Sequence, residues 1–175
     1  MRTIVVYSSL TGNTKKIAEA IAGALPEGTA AVPVKEAPAD LADYDCVFLG
    51  FWVDRGNADK AAAELLPTLE NKHVALFATL GADPRSPHAA ESLDKAAALL
   101  PDGKMPAGKF ICQGAVDPKV IEMMYKMFPK GHVHGQSAER DALHAEAAKH
   151  PDEADLAAAG AFARETMENI VRGEA

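Results

Sequence analysis

The chain has 175 residues and a formal net charge of −7. This length suits one domain with a full hydrophobic core, so we expect residues 1–175 to form a single domain. The acidic balance argues against binding to nucleic acid or to anionic membranes, because there is no surplus of basic residues to displace counterions. No apolar stretch approaches the roughly 18 residues of a membrane span, and Met1-Arg2 leads into a strand-like run rather than a signal peptide. We therefore expect a cytoplasmic protein.

Five apolar runs alternate with helical patterns along the chain, which is typical of a parallel sheet covered by helices on both faces. The runs span residues 2–8, 29–34, 45–51, 73–79 and 107–113. Cys46 and Cys112 lie inside two of these runs. We interpret both as small core residues, which suits a reducing compartment.

Helical patterns fill the gaps between the apolar runs. Ile17, Ile21 and Leu25 recur every four residues, until Pro26 and Gly28 end the first helix. Later helices are predicted over residues 58–69, from Ala89 to Leu100, and over residues 153–171.

Residues 114–152 form an insertion that does not belong to this alternating plan. A connection of such length inside a compact domain usually has a function or a structure of its own. It contains an apolar-rich helix candidate from Val120 to Phe128, whose methionines we expect to face the core rather than to form a docking patch. The histidines of this insertion are His132, His134, His144 and His150. We interpret the stretch that carries them as a solvated polar loop, so we predict no metal site.

The most specific local pattern follows the first apolar run, where Ile4 to Tyr7 continue without a spacer into residues 8–14 and then into a helix. Unpaired backbone N–H groups at the first turn of a helix, together with the helix macrodipole, favour a bound anion. Gly12 lets the backbone come close to that anion. No Lys or Arg lies between Thr3 and Lys15, so we expect neutral donors to hold a phosphate.

The segment Ser9-Leu10-Thr11-Gly12-Asn13-Thr14 fits every fixed position of [Ser/Thr]-x-Thr-Gly-x-Thr, and in this the chain resembles the flavodoxins. It lacks the Gly-Lys-[Ser/Thr] ending of nucleoside triphosphate loops and the G-x-G-x-x-G of dinucleotide sites. The resemblance implies that these six residues hold the 5′-phosphate of FMN. It also implies an α/β fold with a flavodoxin-like, doubly wound, five-stranded parallel sheet in the order 2-1-3-4-5. In that order Cys46 and Cys112 are too far apart for a disulfide.

The resemblance places the cofactor beyond the carboxyl ends of strands 1, 3 and 4, in loops that we predict over residues 8–14, 50–58 and 79–86. In the second loop it assigns flavin contacts to Phe51, Trp52, Val53, Asp54 and Gly56. Trp52 either stacks on the flavin ring or seals the top of the sheet as a core residue. Gly50 or Gly56 could permit the peptide rotation that flavodoxins make near flavin N5.

In the third loop the resemblance assigns contacts with the pyrimidine edge of the flavin to Thr79, Leu80, Gly81 and Asp83. No aromatic residue lies between Phe77 and Phe110, whereas many flavodoxins have a Tyr in this loop. The outer face of the flavin is therefore open, or it is covered by part of residues 114–150.

We interpret the chain as an FMN-binding electron carrier that passes electrons to a partner reductase, with the flavin supplying the redox chemistry. The runs Ser8 to Lys16, Gly50 to Gly56 and Asp117 to Met124 are most similar to the small flavodoxin proteins that accompany bilirubin reductase. Two alternatives stay open. One is an FMN-dependent reductase that acts directly on a small acceptor such as a quinone, and the other is a non-redox module that binds a different phosphate ligand.

Overall fold

Six strands form one sheet in the computed structural model of the chain, which describes residues 1–132 and 135–175. The strands are β1 (Thr3–Tyr7), β2 (Ala31–Pro33), β3 (Cys46–Asp54), β4 (Asn57–Ala58), β5 (His73–Leu80) and β6 (Gly108–Gln113). Five of them are parallel and stand in the order β2-β1-β3-β5-β6, while β4 is a short antiparallel partner of β3. Without β4 this is the predicted order 2-1-3-4-5, and the α/β, doubly wound class is confirmed.

Helices cover both faces of this sheet. They are α1 (Asn13–Ala24), α2 (Lys60–Leu65), α3 (Pro87–Ala97), α4 (Pro118–Met127), α5 (Ala138–Ala147) and α6 (Glu153–Arg172). Short 3-10 turns follow β2, precede β3 and follow α2 and α3. One core lies under α2 and α3, and the other lies under α1 and α6.

The alternation of side chains along each strand fills these two cores. In β1, Ile4 and Val6 belong to the core under α2 and α3, whereas Val5 and Tyr7 belong to the core under α1 and α6. Successive side chains of a strand point to opposite faces, and here both faces are covered. A strand buried on both sides therefore needs a continuous apolar run, which is the pattern that the sequence shows.

Cys46 and Cys112 are buried and free, as predicted. They lie in the core under α1 and α6, on strands that β5 separates. Burial raises the pKa of the Cys46 thiol to about 12 and also raises that of Cys112, so both stay protonated as small apolar core residues.

The helix predicted over residues 58–69 is shorter than expected. It runs from Lys60 to Leu65 and then tightens into a 3-10 turn over Leu66–Thr68. Pro67 explains the change, because proline has no backbone N–H to donate to the preceding turn. Leu66 and Leu69 are buried as the periodicity indicates.

The prediction of a loop over residues 50–58 is wrong. Strand β3 continues to Asp54 and turns back at Arg55 and Gly56 into β4, with Val53 opposite Ala58. Both turn residues have positive φ angles, 52° and 76°, as in the two-residue turns that match the twist of paired strands. The second predicted loop is therefore a hairpin, which holds Trp52 within regular backbone.

The insertion contains two helices. The predicted helix is confirmed as α4, but it contains no buried residue. The expectation of a methionine face against the core is wrong for Met123 and Met127, whose exposed fractions are 53% and 63%. Helix α5 lies where we expected a solvated loop, and Ser137 caps its N-terminus by accepting from the Arg140 N–H. Among the described helices none is long and apolar enough to cross a bilayer.

Candidate cofactor site

The phosphate loop, residues 8–14, connects the end of β1 to helix α1. The Ser8 N–H donates to the Gly50 carbonyl over 2.8 Å, which fixes the start of the loop against β3. Gly12 occupies the N-cap position of α1 with φ of 93°, and no side chain caps this helix. The first-turn N–H groups of α1 therefore keep their capacity to bind an anion.

Side chains of the phosphate loop hold its shape rather than cap the helix. The Ser9 hydroxyl accepts from the Gly12 N–H over 3.1 Å. The Asn13 amide donates to the Thr11 hydroxyl over 3.0 Å and to the Ala115 carbonyl over 2.8 Å. Asn13 thus ties the loop to the segment that follows β6. Leu10 is 63% exposed and places an apolar side chain at the surface beside this site.

Thr14 and Thr79 are brought together by the fold, but their hydroxyls bond to each other over 2.9 Å in the interior. Both residues are almost fully buried. Either hydroxyl can be the donor of this bond, and we expect the backbone N–H of Thr14 to be its donor to a phosphate. Thr79 lies in β5 directly opposite Trp52 in β3, so this bond stands between the phosphate loop and the hairpin.

The hairpin presents Trp52 and buries Phe51. Phe51 belongs to the core under α2 and α3, so only its backbone can reach a ligand. Trp52 is half-buried and belongs to neither core cluster, which favours the ring-shielding interpretation over the core interpretation. Val53 and Asp54 are also half-buried. The four residues follow one another along β3, so successive side chains alternate between the faces of the hairpin.

Gly50 and Gly56, at the two ends of this hairpin segment, have different structural roles. A Cβ on Gly50 would lie 2.1 Å from the Phe77 ring, and Gly50 is held within β3 between β1 and β5. Gly56 lies at the hairpin turn with a positive φ. The turn is therefore the place where a peptide could rotate without breaking the sheet.

The third loop, residues 81–86, is covered by the start of the insertion. A Cβ on Gly81 would lie 2.2 Å from a methyl group of Val116, so only glycine permits this contact. The Gln113 amide donates to the Gly81 carbonyl over 3.3 Å, and the Gly114 N–H donates to the Leu80 carbonyl over 2.9 Å. Sequence reasoning left open whether residues 114–150 cover this edge, and it did not identify Val116.

The Asp83 side chain forms hydrogen bonds within the same loop. Its carboxylate accepts from the Arg85 N–H over 2.9 Å and from the Arg85 side chain over 3.3 Å. These bonds, the backbone one first, lower the pKa of Asp83 below its ordinary value. Leu80 is buried, so its side chain is part of the protein interior.

Asp59 is a site residue that sequence reasoning missed. It caps α2 and is only 3% exposed. Its Oδ1 atom accepts from the Ser8 hydroxyl over 2.7 Å and from the Ala61 N–H over 3.1 Å, while its own N–H donates to the Trp52 carbonyl over 3.2 Å. Asp59 thereby joins the phosphate loop to the hairpin. Its position before a helix gave a capping signal, but nothing local indicated the contact with Ser8.

The histidines of the insertion have different surroundings in the fold. His150, Asp152 and Asp155 form a compact group, in which the two carboxyls make the capping box of α6 and His150 bonds to Asp155. His132 stacks on Phe128 with 4.5 Å between ring centroids. His144 lies in α5, and His134 falls outside the described residues.

The chain matches the flavodoxin domain family over residues 4–164 and belongs to the flavodoxin family. It is 37% identical to the flavodoxin-like domain-containing protein BilS of Clostridioides difficile (strain CD3), over 95% of this chain and 97% of that protein. It is 31% identical to the BilS protein of Clostridium symbiosum (strain WAL-14163), over 90% and 92% of the two chains. The predicted resemblance to the flavodoxins is confirmed, and within them this chain is similar to the BilS proteins.

Solved structures agree on the fold. Oxidised Flavodoxin 2 from Bacillus cereus superposes with a TM-score of 0.56 at 18% identity, covering 97% of this chain and 99% of that one. A flavodoxin from the domain Archaea gives a TM-score of 0.55 at 16% identity, with coverage of 97% and 99%. The chain is thus a flavodoxin-like, FMN-binding electron-transfer protein. The uncapped N-terminus of α1 and the half-buried Trp52 fit a phosphate and a flavin ring, respectively.

Proposed function

We propose that the protein carries electrons on FMN and passes them to a separate reductase. The observation that carries this proposal is that Thr14, in the first turn of α1, bonds to Thr79, which lies opposite the half-buried Trp52. The phosphate loop and the hairpin therefore lie at one edge of the sheet, where a phosphate and a flavin ring would bind side by side. The exposed Leu10 lies in the same phosphate loop and offers apolar area to a partner protein.

When bound, FMN supplies the redox chemistry, since a flavin accepts and donates electrons singly or in pairs. The chain positions and shields it. The α1 N–H groups bind the phosphate, Trp52 excludes water from one ring face, and the segment around Val116 closes the loop at the pyrimidine edge. The tie from Asn13 to Ala115 keeps this segment beside the phosphate loop.

The runs Ser8 to Lys16, Gly50 to Gly56 and Asp117 to Met124, which are similar to the flavodoxin proteins that accompany bilirubin reductase, support such a reductase as the partner. The similarity to a BilS protein, which covers nearly the whole of both chains, agrees with this subgroup. We accordingly propose that the acceptor is a larger enzyme with its own substrate site.

The test is a stopped-flow experiment with the FMN-loaded protein, reduced anaerobically and mixed with a purified bilirubin reductase and bilirubin. We expect the protein flavin to be reoxidised faster than an equal concentration of free FMN, and bilirubin to be consumed. Steady-state turnover of NAD(P)H and a quinone by this chain alone would instead support the direct-reductase alternative. A colourless protein that fails to bind FMN would support the non-redox alternative.

A further inference from the structure

Asp59 is a buried carboxyl at the base of the phosphate loop. Its Oδ1 atom is bonded to the Ser8 hydroxyl and to the Ala61 N–H. Its Oδ2 atom is also shielded from solvent and has no hydrogen-bond partner among the described residues. Burying an ionised carboxylate oxygen without a hydrogen-bond donor costs desolvation free energy, and protonation of that oxygen removes the charge that causes most of this cost.

The charged neighbours of Asp59 do not neutralise it. Ionisable groups on the strands β1 and β3, on the hairpin turn and on α2 are Tyr7, Cys46, Asp54, Arg55, Lys60 and Glu64. Helix α3 packs against β4 and brings His88 and Lys95 to the hairpin turn at Gly56, where both are exposed. Arg55 pairs with Asp54 over 3.9 Å and Lys60 pairs with Glu64 over 3.8 Å, with both basic side chains almost fully exposed. Burial raises the pKa of Asp59 despite the bonds from Ser8 and the backbone, which favour the ionised form.

Asp59 supports, through Ser8, the loop that would hold the phosphate of FMN. The loop that begins at Ser8 has no Lys or Arg before Lys15, and Lys15 itself is at the surface in a pair with Glu19. The phosphate is therefore held by neutral donors and by the end of α1. A second negative charge at Asp59 would act on it through protein rather than through bulk water, where charges are screened more strongly.

We propose that Asp59 is uncharged when the phosphate of FMN is bound, so that FMN binding takes up a proton at the Asp59 carboxyl. The proton resides on Oδ2, and Oδ1 continues to accept from Ser8 and Ala61. Asp59 is thus a positioning residue that holds the phosphate loop in both protonation states. The inference rests on FMN binding and does not depend on transfer to a reductase.

The sign of the effect follows from linkage. Bound phosphate raises the pKa of Asp59, so protonation of Asp59 must strengthen FMN binding by the same factor. Affinity is highest below the pKa of Asp59 in the free protein, which already lies above the ordinary value for an aspartate. It falls as the pH rises from that value towards the higher pKa in the complex.

The test is calorimetric titration of the flavin-free full chain with FMN, in pairs of buffers that differ in ionisation enthalpy, which gives the number of protons taken up. Asp59→Asn keeps an acceptor for Ser8 and cannot be charged. Asp117→Asn is a matched control, because Asp117 caps α4 through the Lys119 N–H in the same manner. Riboflavin serves as a ligand without phosphate.

We expect the wild type and Asp117→Asn to take up more protons per FMN than Asp59→Asn does. Their affinity relative to Asp59→Asn should fall by about tenfold as the pH rises through the pKa of Asp59 in the free protein and then in the complex. Equal proton counts in the wild type and Asp59→Asn would overturn the proposal.

If Asp59→Asn does not fold, the wild type alone decides. Above about pH 7 the free FMN phosphate is largely dianionic, and the ³¹P chemical shift of bound FMN shows whether the phosphate has itself taken up a proton. Proton uptake with FMN while the bound phosphate stays dianionic, and none with riboflavin, supports the proposal; equal counts for the two ligands, or a protonated bound phosphate, overturn it. Failure of electron delivery to a reductase would leave these measurements unchanged.

Discussion

The hydroxyls of Thr14 and Thr79 form a buried hydrogen bond of 2.9 Å between the first turn of α1 and the end of β5. It fixes the position of the α1 N-terminus relative to β5, in which Thr79 lies opposite Trp52 of β3. Because the bond supports the FMN site from inside the protein, we predict that the Thr14 hydroxyl does not contact the ligand.

Thr14→Val and Thr79→Val should each destabilise the protein by about 1–3 kcal/mol, because each leaves the other hydroxyl buried without a partner. The double variant should lose less than the sum of the two, and urea unfolding of all four proteins measures this. FMN affinity of Thr14→Val should change little, since its hydroxyl is directed at Thr79. A large loss of affinity in a folded Thr14→Val protein would show that this hydroxyl reaches the phosphate.

FMN should bind at least about tenfold more tightly than riboflavin, a difference of about 1.4 kcal/mol. The reason is that the uncapped α1 N-terminus has donors for the phosphate that riboflavin leaves unused. Fluorescence titration of the flavin-free protein with each ligand gives both dissociation constants. Equal constants would contradict the assignment of residues 9–14 to the phosphate.

Trp52 should be strongly quenched when FMN binds, and it is the single Trp of the chain, so the signal is unambiguous. Trp52→Ala should weaken FMN binding by about tenfold through the loss of ring contact, while Trp52→Phe retains part of it. The unfolding free energy should fall only modestly, because Trp52 lies outside both cores. If Trp52 fluorescence is not quenched in the FMN-loaded protein, Trp52 is a structural residue and does not stack on the flavin.

Removal of most of the insertion should leave the sheet and the FMN site intact. Its two ends meet, since the Ala115 N–H donates to the His150 carbonyl over 3.0 Å, and α4 contains no buried residue. A short turn in place of residues 118–149 retains Val116 and the tie from Asn13 to Ala115. We expect FMN affinity to change less than the rate of electron delivery to the reductase.

Two measurements on the shortened protein separate the possibilities. An unchanged rate of electron delivery would make the insertion a passive surface feature. Loss of soluble folding would show that α4 and α5 support the core more than their exposure indicates.

The sequence by itself determined the five parallel strands and the phosphate loop, because each of these depends on neighbours within one element. The strand order came from the family resemblance and from no local pattern. The apolar run of β1 and the four-residue recurrence from Ile17 to Leu25 are local patterns, and both were confirmed. The hairpin of β3 and β4 was predicted as a loop, because Asp54, Gly56 and Asn57 are typical of loops and turns alike.

Only the tertiary structure decided which side chains meet at the site. Ser8 and Asp59 are 51 positions apart, and Asn13 and the Ala115 carbonyl are 102 apart. The close contact of Val116 with Gly81 likewise joins two loops. In a parallel sheet the carboxyl ends of strands that are distant in sequence lie at one edge, so the loops that follow them become neighbours. These contacts depend on how the strands are placed beside one another, which the local pattern of any one segment does not record.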